Sequence, residues 1–255
     1  MTELIKVNDA SYILYEELIL KKENLRRDAV KFYGQYLRLF GDQLTEAFRK
    51  KIECIRKKKM IAFCQRCVNQ GKPISGTELH STVDAEMEEY ETELKQMAED
   101  TANAMKAKAI SAEDLRKIRT IYYRLARMIH PDMRPETADD TVLMEYWNHI
   151  VSAYRHNRLK ELEELEVAVN AYLSGRGIRA DKPVIPDIEK KIACAEKEIE
   201  RIISTAPYTY RFLLEDDAAV NRKLEELQNE IEEYAQYSAE LDEVLSRFEI
   251  REMYA

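Results

Sequence analysis

Apolar residues recur along most of this chain at spacings of three and four, the repeat of an amphipathic helix. Leu4, Val7, Leu14, Leu18 and Leu25 form one such stripe, which shifts phase to Ala29, Phe32, Tyr36 and Leu39. The pattern predicts one or two long helices over 3–40, a break at Gly41-Asp42, and a second helix from about Gln43 to Asn69. Gln70-Gly71-Lys72-Pro73 then places Gly just past a helix end and Pro soon after, which is a stop signal. A third helix is expected from about Thr77 to Lys108.

Ser111-Ala112-Glu113-Asp114 reads as the next N-cap, with acids in the first turn. Leu115, Ile118, Tyr122, Leu125 and Ile129 mark one face of the helix that follows. His130-Pro131 ends it, because the residue before a proline is disfavoured in the α region. Met133 to Asp140 is polar and rich in breakers, so a loop is expected there. Thr141 to about Ser174 resumes helix, with a bend near His156-Asn157.

Gly175, Gly177, Pro183 and Pro186 mark a linker over 175–186. Beyond it two segments carry a heptad rhythm: Ile188, Ile192, Ala195, Ile199 and Ile202, then Val220, Leu224, Leu227, Ile231, Tyr234, Ser238, Leu241, Leu245 and Phe248. An antiparallel coiled-coil hairpin over 187–255 is expected, with Pro207 near its turn. Its second segment is about twice as long as its first, so the distal half needs another partner, in this chain or in a second molecule. The expected fold class is all-α: an N-terminal long-helix region over 1–110, a helical hairpin with its extension over 111–174, the linker, and the C-terminal hairpin.

Composition agrees with long helices. The 255 residues are 45% hydrophobic and 35% charged, with only six Gly and six Pro. The net charge of −8 argues against bulk attraction to polyanions, but the charge is uneven. Arg49 to Lys59 holds seven basic residues against one acid, whereas 187–255 holds 18 acids against nine bases. The basic run could contact nucleic-acid phosphates, but it lacks the interleaved aromatics that stack on bases. A solvated face, or a dock for acidic helices, is the favoured reading. No run approaches the roughly 18 apolar residues of a membrane span, and the N-terminus lacks an apolar signal core. A cytoplasmic protein is expected.

Four cysteines do not make a disulfide framework for a chain this long. Cys64-Gln65-Arg66-Cys67 is a C-x-x-C pair, but Cys54 and His80 match no zinc-finger spacing around it, and buried thiols on a helix are expected. No Gly-rich phosphate loop, G-x-S-x-G or H-E-x-x-H occurs. The chain is therefore expected to be no enzyme and to hold no metal or cofactor.

One motif points to a function. Tyr122-Tyr123-Arg124-Leu125-Ala126-Arg127-Met128-Ile129-His130-Pro131-Asp132 resembles the second helix and loop of J-domains, the modules of DnaJ-type co-chaperones. Tyr122, Leu125, Ala126 and the His-Pro-Asp tripeptide fit that pattern. Trp147, Ile150, Ala153 and Tyr154 resemble the apolar positions of the family's third helix. The resemblance implies that Tyr122, Leu125 and Ala126 pack against Trp147, Ile150 and Tyr154. It also implies that Arg116, Arg119, Arg124 and Arg127 form a cationic face beside the turn. The resemblance further implies that such a surface binds an acidic region of a DnaK-type ATPase chaperone, and that His130, Pro131 and Asp132 help to trigger ATP hydrolysis in that partner.

The departures are specific. The family's aromatic-rich first helix is missing from Glu99–Ile110, so another helix of this chain must supply its packing. Tyr123 stands where a basic residue is common, and Arg158-Leu159-Lys160-Glu161-Leu162 replaces the usual basic run after the third helix. The Gly/Phe-rich and zinc-binding regions of larger J-proteins are absent. As a whole the chain resembles bacterial J-domain-containing coiled-coil proteins of unknown function, through Tyr33 to Phe40-Gly41, Lys57-Lys58-Lys59 and Pro207-Tyr208. The leading expectation is a co-chaperone or recruiter that brings a DnaK-type chaperone to a client held by the coiled coils. The alternatives are a structural interaction protein that keeps a J-like fold without serving an ATPase, self-associating or holding a fixed partner, and, more weakly, nucleic-acid binding through 49–59.

Overall fold

The structure is a computed structural model that describes residues 2–107, 110–176, 185 and 187–251, with side chains from Ala10 onward except at 176 and 251. Among these residues the fold is all-α. The helices are α1 (Thr2–Asn69), α2 (Gly76–Lys106), α3 (Ala112–Ile129), α4 (Pro135–Ala138), α5 (Thr141–Arg155), α6 (Leu159–Arg176), α7 (Ile188–Ser204), α8 (Tyr210–Leu214) and α9 (Asp217–Leu245). Two-residue strands, β1 (Ile74–Ser75) and β2 (Ile250–Arg251), form a parallel bridge that alternating apolar patterning is too short to announce. Contacts divide the chain into two compact units: residues 1–33 with 108–211, and residues 34–107 with 212–255.

The expected break at Gly41 does not occur, because α1 runs through it without interruption. The glycine is there for packing. A Cβ at position 41 would lie 2.6 Å from both Cγ2 and Oγ1 of Thr101 on α2, so only a bare Cα lets the helices approach so closely. Gly71, by contrast, does end α1, at φ +64°, where glycine adopts a left-handed conformation without strain. The apolar stripe on α1 also needs correction. Tyr12, Tyr15, Ile19 and Leu20 are buried, as are Leu37 and Phe40, whereas Leu14 and Leu39 are exposed. Between the buried groups lies a stretch that hydropathy reads as outward-facing, yet Lys22, Glu23 and Arg27 in it are buried.

The second unit packs Ile52 and Cys64 of α1 with Leu79, Val83 and Met87 of α2 and with Ile74. Much of the basic run of α1 is paired within this unit. Arg56 pairs with Asp84 and Glu91, and Lys59 with Glu86 at 2.6 Å, all three acids on α2. Lys57 meets Asp242 of α9 at 2.7 Å and donates to the Ser238 hydroxyl at 2.6 Å. Burial opposes the Glu53 carboxylate, but hydrogen bonds from Lys57, Ser238 and Lys50 hold its pKa down to about 2. Cys54 donates to the Tyr234 carbonyl at 3.3 Å, and Cys64 is fully buried.

In the first unit a single core joins α1, α3, α5, α6 and α7. Both heptad segments have the inward faces expected of them: Ala195 and Ile199 on α7, and Leu227, Ser238 and Leu241 on α9, are buried. α7 belongs to the first unit and α9 to the second, and each forms its polar contacts with a different part of α1. A heptad shows that a helix has a face to bury, and says nothing of which helix buries it. The expected linker lies almost wholly outside the described residues.

Candidate functional site

The site is built from the α3–α5 pair. Ser111 caps α3 by accepting from the Asp114 N–H at 3.0 Å. Asp140 caps α5, accepting from Val142 and Leu143 at 3.0 and 3.2 Å, and is itself held by the Tyr172 hydroxyl at 3.0 Å. His130 is the C-cap of α3, with its N–H donating to the Ala126 carbonyl at 2.9 Å. The connection to α5 is no plain loop, since α4 occupies its middle with Pro135 in the first turn.

Tyr122, Leu125 and Ala126 of α3 and Trp147, Ile150 and Tyr154 of α5 are all buried in one apolar cluster. Tyr122 and Tyr154 stack with centroids 3.8 Å apart, and Trp147 lies 5.9 Å from Tyr122. α1 packs here too, with Tyr12, Tyr15, Ile19 and Leu20 in the same cluster. Nothing in the local sequence around α3 identifies it, because the two helices are far apart along the chain. The polar stretch of α1 is equally engaged. Asn24 donates to the Tyr123 hydroxyl at 2.6 Å and accepts from that of Tyr154, which also receives Arg27 Nη1 at 3.1 Å. Burial raises the Tyr154 pKa to about 12.

Within the turn, the Asp132 N–H donates to His130 Nδ1 at 3.0 Å, which fixes the imidazole against its own backbone. The His130 ring lies 4.5 Å from that of Trp147 and is only 5% exposed. Burial, and then the neighbouring Lys22 ammonium, push its pKa down to about 3, so the ring is neutral at ordinary pH. The Asp132 carboxylate is about half exposed and lies 4.0 Å from Lys22 Nζ. From α7, Lys191 donates to the Asp132 carbonyl at 3.4 Å. An open cleft of about 420 Å³ adjoins the turn, lined by Lys22, Glu23, Arg26, Trp147 and Arg155 among others.

The four arginines of α3, Arg116, Arg119, Arg124 and Arg127, are all exposed. Two are already paired: Arg124 with Glu166 of α6 at 2.7 Å and Arg127 with Glu16 of α1 at 2.6 Å. Arg119 lies beside the Tyr154 hydroxyl. The residues that sequence reasoning missed are Lys22, Glu23 and Arg26 on α1, and Lys191 and Glu198 on α7. Glu23 Oε1 accepts from Arg26 at 2.5 Å, and Oε2 from Arg155 Nη2 and Nε at 2.9 and 3.1 Å. Glu198 reaches Lys22 at 3.4 Å and Arg26 at 3.1 Å. A charged run inside a helix gives no signal of such burial unless its partners are known.

In comparisons with known proteins, no family model matches this chain, and neither a curated protein nor a solved structure matches it. Among the described residues, no helix is long and apolar enough to cross a membrane.

Proposed function

We propose that the first unit is a J-domain-like docking module that engages a DnaK-type ATPase chaperone and stimulates its ATP hydrolysis. The observation that carries this reading is the His130-Pro131-Asp132 turn, locked by the Asp132-to-His130 hydrogen bond at the end of a helix with four exposed arginines. A rigid turn beside a cationic face suits an acidic partner surface, which charge attraction would bring in quickly and orient. Pro131 restricts the backbone between the two polar residues. His130 acts in this reading as a contact and positioning residue, since it is neutral and its Nδ1 is already engaged. The test is single-turnover ATP hydrolysis by the cognate chaperone with the full-length chain. Stimulation by the wild type, lost in both His130→Gln and the half-exposed Asp132→Asn, is the expected result. Stimulation that survives both substitutions overturns it.

A second reading is favoured by a different observation. His130 is buried, Asp132 is approached by Lys22 and Lys191, and Arg124 and Arg127 are satisfied internally. A structural interaction protein would retain such an arrangement as scaffold and never present it to an ATPase. The absence of any stimulation by a folded wild-type chain selects this reading. Nucleic-acid binding through 49–59 loses ground, because Arg56, Lys57 and Lys59 are occupied by acids of the same unit.

A further inference from the structure

A second cleft in the first unit, of about 370 Å³, lies between α1, the end of α5, and the end of α7 with the turn that follows it. Its charged lining is Arg26, Arg155 and Arg201, with no carboxylate among the lining residues. Its walls are otherwise apolar or weakly polar, and include Val30, Ile202 and Tyr208. The volume falls within the roughly 300–1,000 Å³ of small-molecule sites, which combine an apolar wall with a few convergent polar groups.

The guanidinium groups have unused capacity. Each carries five N–H donors. Arg155 gives Nε and Nη2 to one oxygen of Glu23, and its Nη1 makes no hydrogen bond among the described residues. Arg26 gives Nη1 to Glu23 and Nη2 to Glu198. Arg201 donates no side-chain hydrogen bond and has no ion pair among the described residues. The balance of charge points the same way. Lys22, Arg26 and Arg155 are met by Glu23, Glu198 and, at 4.0 Å from Lys22, Asp132, which leaves Arg201 as the cation of this group with no ion pair among the described residues.

We infer that the cleft bounded by Arg26, Arg155 and Arg201 binds a phosphomonoester that carries an apolar body. Planar guanidinium forks match the oxygens of a phosphate dianion in geometry and charge. Val30, Ile202 and Tyr208 would cover the uncharged part of the ligand. This site is separate from the arginine face of α3 and does not depend on chaperone docking.

The experiment is isothermal titration of the full-length chain at low ionic strength, with phenyl phosphate as probe and with inorganic phosphate and benzoate in parallel. The expected result is saturable 1:1 binding of phenyl phosphate, stronger than that of either fragment and weakened by salt. Arg201→Ala, at an exposed position where the fold is not at stake, should weaken it about tenfold or more, the loss of one charge-assisted contact. Arg222→Ala, an exposed arginine of the second unit, should leave it unchanged. Absence of saturable binding, indifference to Arg201→Ala, an equal loss in Arg222→Ala, or benzoate binding as tightly as phenyl phosphate overturns the assignment.

Discussion

Glu23 and Arg155 are joined by two hydrogen bonds to a single carboxylate oxygen, at 2.9 and 3.1 Å, and the Glu23 side chain is only 4% exposed. Truncating one member of a buried ion pair leaves the other charge without compensation, at a cost of about 3–5 kcal/mol. Glu23→Ala should therefore lower the unfolding free energy by roughly that amount. The half-exposed surface pair of Lys223 and Glu226, at 3.3 Å, is the comparison. Glu226→Ala should cost well under about 1 kcal/mol. Urea denaturation of both variants checks this, and equal losses would remove Glu23 from its structural role.

The burial of His130 makes stability depend on pH. Its pKa falls from 6.5 to about 3 in the folded chain. Between those values the unfolded chain binds the extra proton, so stability rises with pH across this window and is lost as pH falls below about 6.5. Lys22, Lys191 and Arg26 around the ring oppose protonation, and Glu23 favours it. At pH 5 the loss should be roughly 2 kcal/mol. In His130→Gln this part of the pH dependence should vanish. Denaturation midpoints between pH 7 and 5 measure it, and an unchanged slope in the variant contradicts the assignment.

Gly41 and Gly34 make opposite predictions from one substitution. Alanine at 41 would clash with Thr101, whereas nothing lies within 4 Å of a Cβ at 34. Gly41→Ala should destabilise by about 1–3 kcal/mol through overpacking, and Gly34→Ala should stabilise by up to about 1 kcal/mol through helix propensity. Thr101→Ala in the Gly41→Ala background should restore part of the loss. Thermal unfolding of the four proteins decides whether position 41 is a packing site.

Glu198 ties α7 to α1 through Lys22 and Arg26 at 3.4 and 3.1 Å. The pairs are partly exposed, so Glu198→Gln should cost about 1 kcal/mol or less. That is enough to speed amide exchange across Ile188–Ser204 several-fold. Exchange at Met133 and Arg134, whose N–H groups donate to the His130 carbonyl at 2.9 and 2.7 Å, should rise with it if α7 steadies the turn. Faster exchange in α7 alone would show that Lys191 contributes nothing to the turn.

What was legible in the sequence follows from how each element is stabilised. The helix ends at Ser111 and Gly71 and the inward positions Ile118, Tyr122, Leu125 and Ile129 of α3 could be read because caps and apolar periodicity are local signals, although Leu115 of the same expected face is exposed in the first turn. Gly41 was misread because a helix-breaking residue and a close-packing residue look alike in one chain. Lys22, Glu23 and Arg27 were missed because polar groups become buried only when distant partners satisfy them. The heptad spacing of α7 and α9 gives each helix an apolar face and does not encode which helix buries it.

Neither unit is a continuous stretch of chain: one takes residues 1–33 and 108–211, the other 34–107 and 212–255. This interleaving has a consequence for synthesis. As the chain leaves the ribosome, α1 emerges before α3 and α5 and must wait with Tyr12, Tyr15 and Ile19 uncovered until they follow. The second unit waits longer, because Leu227 and Leu241 come last. The nascent chain thus carries an open apolar helix until α5 has emerged, and a premature stop anywhere before α9 releases a product with at least one unfinished core.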